Sequence, residues 1–262
     1  MTAAVRVFFL GGLTSYRALF NWLRPAYYFP TMLAGPLFQI LFFAYLGRSV
    51  GAESDAFYVV GNAVQISAMA GVFGMAITIG GERWTQTLGP LLATPASRIA
   101  IFLGRAVPNL AQGLLVSTFG FAMSWLLVDF DPPRSSIPGL AVIVLVTTTS
   151  CTAFGMVIGA LGLRLRDSFM IANPAYFLML LLCGVNVDVE VLPEWLESIS
   201  RVLPLTHGIE AAREVVSGAP LSSVVGLVRT ELVIAVVYAA AAFFLLRYFE
   251  EESRRKATLD RM

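Results

Sequence analysis

Six apolar runs, each close to the length needed to cross a lipid bilayer, decide what this chain can fold into. They extend from about Phe29 to Leu46, Phe57 to Ile79, Ile99 to Val128, Ile137 to Leu163, Phe169 to Val187 and Val224 to Leu246. A hydrocarbon core of about 30 Å takes roughly 20 helical residues. The runs lack the apolar–polar alternation of a barrel strand, and every backbone group in lipid must be paired within its own segment, so helices are expected. Only 13% of the residues are charged, against about 25% in an ordinary soluble domain, and those charges gather between the runs. A water-soluble globule is thereby excluded.

Other partners and chemistries can be tested residue by residue. A formal net charge of +1 without a clustered basic face argues against nucleic acid. Cys151 and Cys183 both lie in apolar runs and read as buried thiols rather than a disulfide framework. The single lysine, Lys256, sits in a charged tail with no glycine-rich stretch before it, so there is no Walker A loop. Any ATP hydrolysis connected with this protein must occur on another chain. No Gly-x-Ser-x-Gly and no cluster at metal-ligand spacing is present, so an intramembrane enzyme is disfavoured.

Orientation follows from the basic residues. With both termini in the cytoplasm, thirteen of the 18 basic residues fall inside, among them Arg6, Arg83, Arg98, Arg105, Arg164, Arg166 and the tail cations. Outside are Arg48, Arg134, Arg201, Arg213 and Arg229. The expected organisation is an interfacial helix over 1–28, then a six-span domain over 29–262 that ends in a cytoplasmic tail, 247–262. In the first segment Leu13, Tyr16, Phe20 and Leu23 share one face, with Thr14, Arg17, Asn21 and Arg24 on the other and Pro25 ending the helix. A plain membrane anchor has the same pattern.

Two segments are neither span nor bare linker. Residues 82–98 carry Glu82 and Arg83, then Leu88, Leu91 and Leu92 at helical spacing and a Pro95 stop. This describes a short amphipathic helix that either offers an apolar ridge to a soluble partner or lies flat on the inner leaflet. Between the fifth and sixth spans, Pro193 to Val202 and Thr206 to Val216 have helical periodicity, separated by Leu203-Pro204-Leu205. Both are too short to cross. They are expected as outer half-helices over 193–217, capping an external gate or forming a packed lid, with Trp195, Pro204 and His207 as the candidate gate residues.

The fold class is therefore all-α integral membrane: six transmembrane helices, an N-terminal amphipathic interfacial helix and two outer half-helices between the fifth and sixth spans. Charged groups at the span ends, Arg105, Arg229 and Glu231, are expected to reach the interfaces. Neutral groups remain inside. Gln39, Asn62, Gln65 and Asn173 are candidates for lining a pathway, with helix-to-helix hydrogen bonding as the other reading. Without an evident buried carboxylate or histidine relay, an ion-coupled secondary transporter is the weaker alternative.

Three groups of residues resemble the membrane subunits of type-2 ABC exporters. The first is Glu82-Arg83 with Thr87-Leu88, Leu91-Leu92-Ala93-Thr94-Pro95, Ser97-Arg98 and Gly104-Arg105. The second is Asn173-Pro174, Gly184, Leu192-Pro193 and Trp195-Leu196; the third is Leu203-Pro204-Leu205-Thr206, Glu210-Ala211-Ala212-Arg213 and Gly218. The sequence departs at Trp84-Thr85-Gln86, where many members carry further charges and a glycine. The resemblance implies a permease in a bacterial plasma membrane that pairs with a second permease, identical or related, through the first and fifth spans. It also implies a cytoplasmic ATPase that holds ATP and magnesium, no cofactor being bound by this chain. Glu82, Arg83, Leu88, Leu91, Leu92 and Pro95 would make the ATPase contact, bordered by Arg17, Asn21 and Arg24. The cargo so implied is a hydrophobic or amphipathic small molecule or a lipid, with a lipid-linked polysaccharide as the alternative.

Overall fold

The structure is a computed structural model that describes residues 12–13, 33–51, 53–84, 98–165 and 168–256. All regular structure among these residues is helical: α1 (Gly35–Val50), α2 (Asp55–Trp84), α3 (Arg98–Leu127), α4 (Ile137–Leu165), α5 (Phe169–Leu182), α6 (Glu194–Val202), α7 (Thr206–Val216) and α8 (Val225–Lys256), with 3-10 turns at Arg134–Ser136 and Val189–Val191. Four of them, α2, α3, α4 and α8, are long and apolar enough to cross a membrane. The other two expected spans are shorter within the described residues. α1 has 16 residues, and the expected start of its run, 29–32, lies outside them. α5 has 14 because the chain leaves the helix at Cys183 and turns through Gly184 at φ 75°.

The centre is the pair α2 and α4, which share the largest helix contact. In its most apolar stretch α2 is 72% buried and α4 61%, whereas α3 is 28% and α8 only 11% buried. The two central helices form the core and the other two present apolar faces outward. For α8 those faces include Leu232, Val233, Val236, Val237 and Phe244, all exposed. Such surfaces suit lipid.

Close approach of α2 and α4 depends on glycine. A β-carbon at Gly155 would lie 2.5 Å from the Gly71 carbonyl oxygen, and one at Gly71 would lie 2.8 Å from the Thr152 nitrogen. Small residues let two backbones meet, and in lipid that dispersion contact has to replace the hydrophobic drive present in water. Thr148 and Thr152, buried in α4, return their hydroxyls to the carbonyls of Val144 and Thr148 one turn earlier, so they expose no unpaired donor.

The two short helices confirm the expected elements almost to the residue. Pro193 ends the preceding turn and precedes α6, and α7 spans Thr206–Val216. α7 packs on α2, α4 and α8, and its Thr206, His207, Gly208, Ile209, Ala211, Ala212 and Val215 are buried. Amphipathicity turns this half-helix toward the bundle, with Glu214 exposed on the other side.

Candidate functional site

Three of the four expected pathway residues meet in one polar cluster between α1, α2 and the end of α5. Asn62 and Gln65 are three residues apart, hence on one face of α2, and both are fully buried. Gln39, from α1, donates through Nε2 to Asn62 Oδ1 and to Gln65 Oε1, both at 2.9 Å. Asn62 Nδ2 donates to the Tyr58 carbonyl at 2.9 Å and to Asn186 Oδ1 at 2.8 Å. The Tyr176 hydroxyl donates to Gln65 Oε1 at 3.1 Å. Among the described residues, Gln65 Nε2 is buried with no partner. The cluster is neutral, rich in acceptors already used, and has one unused donor. Asn173 stands apart: it is exposed on α5 and, among the described residues, bonds back to the Phe169 carbonyl at 3.3 Å. Tyr176 and Asn186 were missed in the sequence, where both fall inside the expected fifth run, Phe169 to Val187, and read as part of an apolar span.

A charged layer lies beyond this cluster. Arg213 of α7 donates through Nη2 to the carbonyls of Phe57 and Val185, each at 3.1 Å, and its Cζ sits 3.4 Å from the centre of the Phe57 ring. One side chain thus joins α7, the start of α2 and the chain after α5. Gly61 makes room, since a β-carbon there would be 2.3 Å from the Val185 carbonyl oxygen. Burial draws the Arg213 guanidinium down to about 10, and Asp188, Glu53 and Glu210 oppose that shift. Beside it is a cavity of ≈190 Å³ lined by Asp188, Glu190, Arg201, Glu210, Arg213 and Glu214 among others. Among the described residues no group of three or more His, Cys, Asp or Glu side chains comes together to hold a metal.

The expected gate residues are divided. Pro204 and His207 are buried, whereas Trp195 is 64% exposed on α6. His207 Nε2 lies 3.0 Å from the Arg201 carbonyl, which can only accept, so that nitrogen carries the proton. Arg201 in turn bridges Glu197 and Glu210 at 3.1 and 3.4 Å. Glu231 corrects the sequence reading. It was expected at the interface, yet its exposure is 0%: α7 and α4 cover the route a snorkelling side chain would take. Its Oε1 accepts from the Leu205 amide at 2.8 Å and contacts the Ser150 hydroxyl.

The expected ATPase contact is only partly placed. Glu82 and Arg83 fall on the last turn of α2, without described side chains, and Leu88, Leu91, Leu92 and Pro95 lie outside the described residues. So do Arg17, Asn21 and Arg24. Gly12 is described, and it lies against α3, where a β-carbon would be 3.1 Å from the Gly104 carbonyl oxygen.

Four helices long and apolar enough to cross a membrane, packed about buried neutral amides, define a multi-pass membrane protein. The ABC-2 type transporter family matches residues 12–216, most of the chain, and this protein belongs to that family. Two curated relatives, each described as a probable multidrug ABC transporter permease, YbhR, from Escherichia coli strain K12 and from Escherichia coli O157:H7, are 24% identical to it over 139 residues. That alignment covers 53% of this chain and 38% of each relative, so the chain matches well under half the length of these proteins.

Proposed function

We propose that this chain is the transmembrane subunit of an ATP-driven exporter, in which a separate ATPase chain drives a hydrophobic or amphipathic small molecule or lipid out of the cytoplasm or inner leaflet. Two six-span subunits, identical or related, would form the complex in a bacterial plasma membrane, with both termini cytoplasmic. Short α1 and α5 would complete the six spans and carry the contact between subunits. The observation that carries this reading is the buried amide cluster of Gln39, Asn62 and Gln65, joined by an unbroken helix to the predicted ATPase contact. Seventeen residues of α2 separate Gln65 from Glu82, about 25 Å at 1.5 Å per residue. No turn interrupts that rod.

The chemistry supports an uncharged polar end on the cargo. Gln65 Nε2 is a donor without an acceptor in an otherwise satisfied cluster, and a buried unmade hydrogen bond costs about 1–3 kcal/mol. A hydroxyl, carbonyl or ester oxygen would remove that cost. ATP can bias the permease only by binding its two forms unequally, and the difference would be delivered along α2. The α6–α7 hairpin would close the outer end.

The test is co-expression with the candidate ATPase and two readouts. Wild type should retain the ATPase through purification and lower cellular accumulation of Nile red, a neutral apolar dye with a carbonyl oxygen, in an ATP-dependent way. Leu88→Asp with Leu91→Asp should lose both while membrane insertion persists. Efflux that continues without any ATPase, driven by an ion gradient, would refute the reading.

A further inference from the structure

α7 begins inside the protein, and the start of a helix leaves backbone N–H groups without intrahelical acceptors. A half-helix that starts among apolar side chains needs an acceptor brought to it. Its own N-cap residue cannot help: Leu205 has no polar atom in its side chain, makes no side-chain cap, and is held at φ 96°, a conformation that leucine seldom adopts. Leu205 is also fully buried, so water does not complete the bond. The acceptor comes from elsewhere. Glu231, six residues into α8 and itself fully buried, brings Oε1 to 2.8 Å from the Leu205 amide.

The same oxygen contacts the Ser150 hydroxyl of α4, and Ser150 lies 2.9 Å from the Thr147 carbonyl as well. Thr147 is in turn pressed against α7: a β-carbon on Gly208 would lie 2.0 Å from its Oγ1. One turn pair further along α8, Tyr238 donates its hydroxyl to the Val202 carbonyl at 3.2 Å. Glu231 and Tyr238 are seven residues apart, on one face, and they grip the two sides of the Val202–Leu205 turn. Within the hairpin, Thr206 donates to the Ser200 carbonyl at 2.7 Å and His207 to the Arg201 carbonyl. The turn is closed on itself and fastened to α8.

We infer that Glu231 is a positioning residue that caps α7 in trans, fixing the α6–α7 hairpin to α4 and α8 so that hairpin and α8 move as one body. In the exporter reading, on which the functional part of this inference rests, the outer closure would then be a rigid attachment of α8 rather than a free lid.

The experiment uses the full chain in phosphatidylcholine–phosphatidylglycerol nanodiscs and amide hydrogen exchange read over 203–210. Glu231→Gln retains an oxygen for the Leu205 amide and should stay protected like wild type. Glu231→Met fills nearly the same volume without an acceptor and should exchange roughly ten- to hundredfold faster at the start of α7, with α2 unchanged. Tyr238→Phe, which cannot create a cavity, should loosen the 200–205 side of the turn by a smaller factor. Equal protection in Glu231→Met and wild type, or equal loss in Glu231→Gln and Glu231→Met, would overturn the cap. Nile red efflux with the ATPase present separates the two ideas: loosened exchange with undiminished efflux upholds the cap and removes the gate role.

Discussion

Replacing Asn62 and Gln65 one at a time should separate stability from cargo recognition, because the two amides carry different shares of the cluster. Asn62→Leu strands Gln39 Nε2 from one of its two acceptors and leaves Asn186 Oδ1 without its donor, while the Tyr58 carbonyl keeps its place in α2. Two links from α2 are lost, one to α1 and one to the chain after α5. Such bonds average about 0.6 kcal/mol in membrane proteins and reach about 1.7, so the expected loss is about 1–3 kcal/mol. Gln65→Met also cuts two links, from Gln39 and from the Tyr176 hydroxyl, but it removes the one unpaired donor of the cluster at the same time. Those effects oppose each other, and the net change should lie within about 1 kcal/mol. The assay is thermal or denaturant unfolding of the purified protein in one detergent, followed by stimulation of the ATPase in the complex by Nile red, a neutral apolar dye with a carbonyl oxygen. Asn62→Leu should unfold earlier. Gln65→Met should unfold like wild type and lose the stimulation. If Gln65→Met were the less stable variant, or both bound and responded normally, the pairing scheme and the role given to the unused donor would be wrong.

Arg213→Ala removes the one side chain that joins Phe57, Val185 and α7, and is expected to lower stability by about 1–3 kcal/mol, read as an earlier unfolding midpoint; an unchanged midpoint would refute the bridging role. Gly155→Ala should cost about 1–3 kcal/mol through overpacking against Gly71, whereas Gly226→Ala, with nothing within 4 Å of a new β-carbon, should be neutral or slightly stabilising. Equal midpoints for those two variants would show that the α2–α4 crossing is looser than described. Leu88→Asp with Leu91→Asp should abolish ATPase retention without changing the unfolding midpoint, and retained ATPase would remove the predicted contact.

The long elements were legible because their signal is length. The runs that began near Phe57, Ile99, Ile137 and Val224 became α2, α3, α4 and α8, each starting within two residues of the expected position, although α8 continues ten residues past Leu246, through part of the expected tail, to Lys256. α7 was legible because its apolar residues recur at helical spacing after a Leu-Pro-Leu break. The expected fifth run, to Val187, overshot: Gly184 needs a left-handed backbone and Asp188 caps the following 3-10 turn, signals that a hydropathy count does not weigh. Polar residues were legible as candidates but not as partners. Gln39, Asn62 and Gln65 met, while Asn173 on its exposed face did not, and spacing within one helix carries no information about which neighbour it faces. Glu231 was misread for a physical reason. Nearness to a helix end implies escape to water only where nothing covers that end, and here α7 does. The clue available beforehand was α7 itself, a helix starting at Thr206 and preceded by Leu205, which has no polar side chain to cap it.

The glycine contact of α2 and α4 also sets a mechanical ratio. Gly71 lies six residues from Gln65 and eleven from Glu82, about 9 Å and about 16 Å along the helix. If the rod tilts about that touching point, as a see-saw does, a displacement applied at Glu82 arrives at the amides reversed in direction and reduced to about half its size. A modest swing at the long arm therefore becomes a fine adjustment of hydrogen-bond distances at the short one.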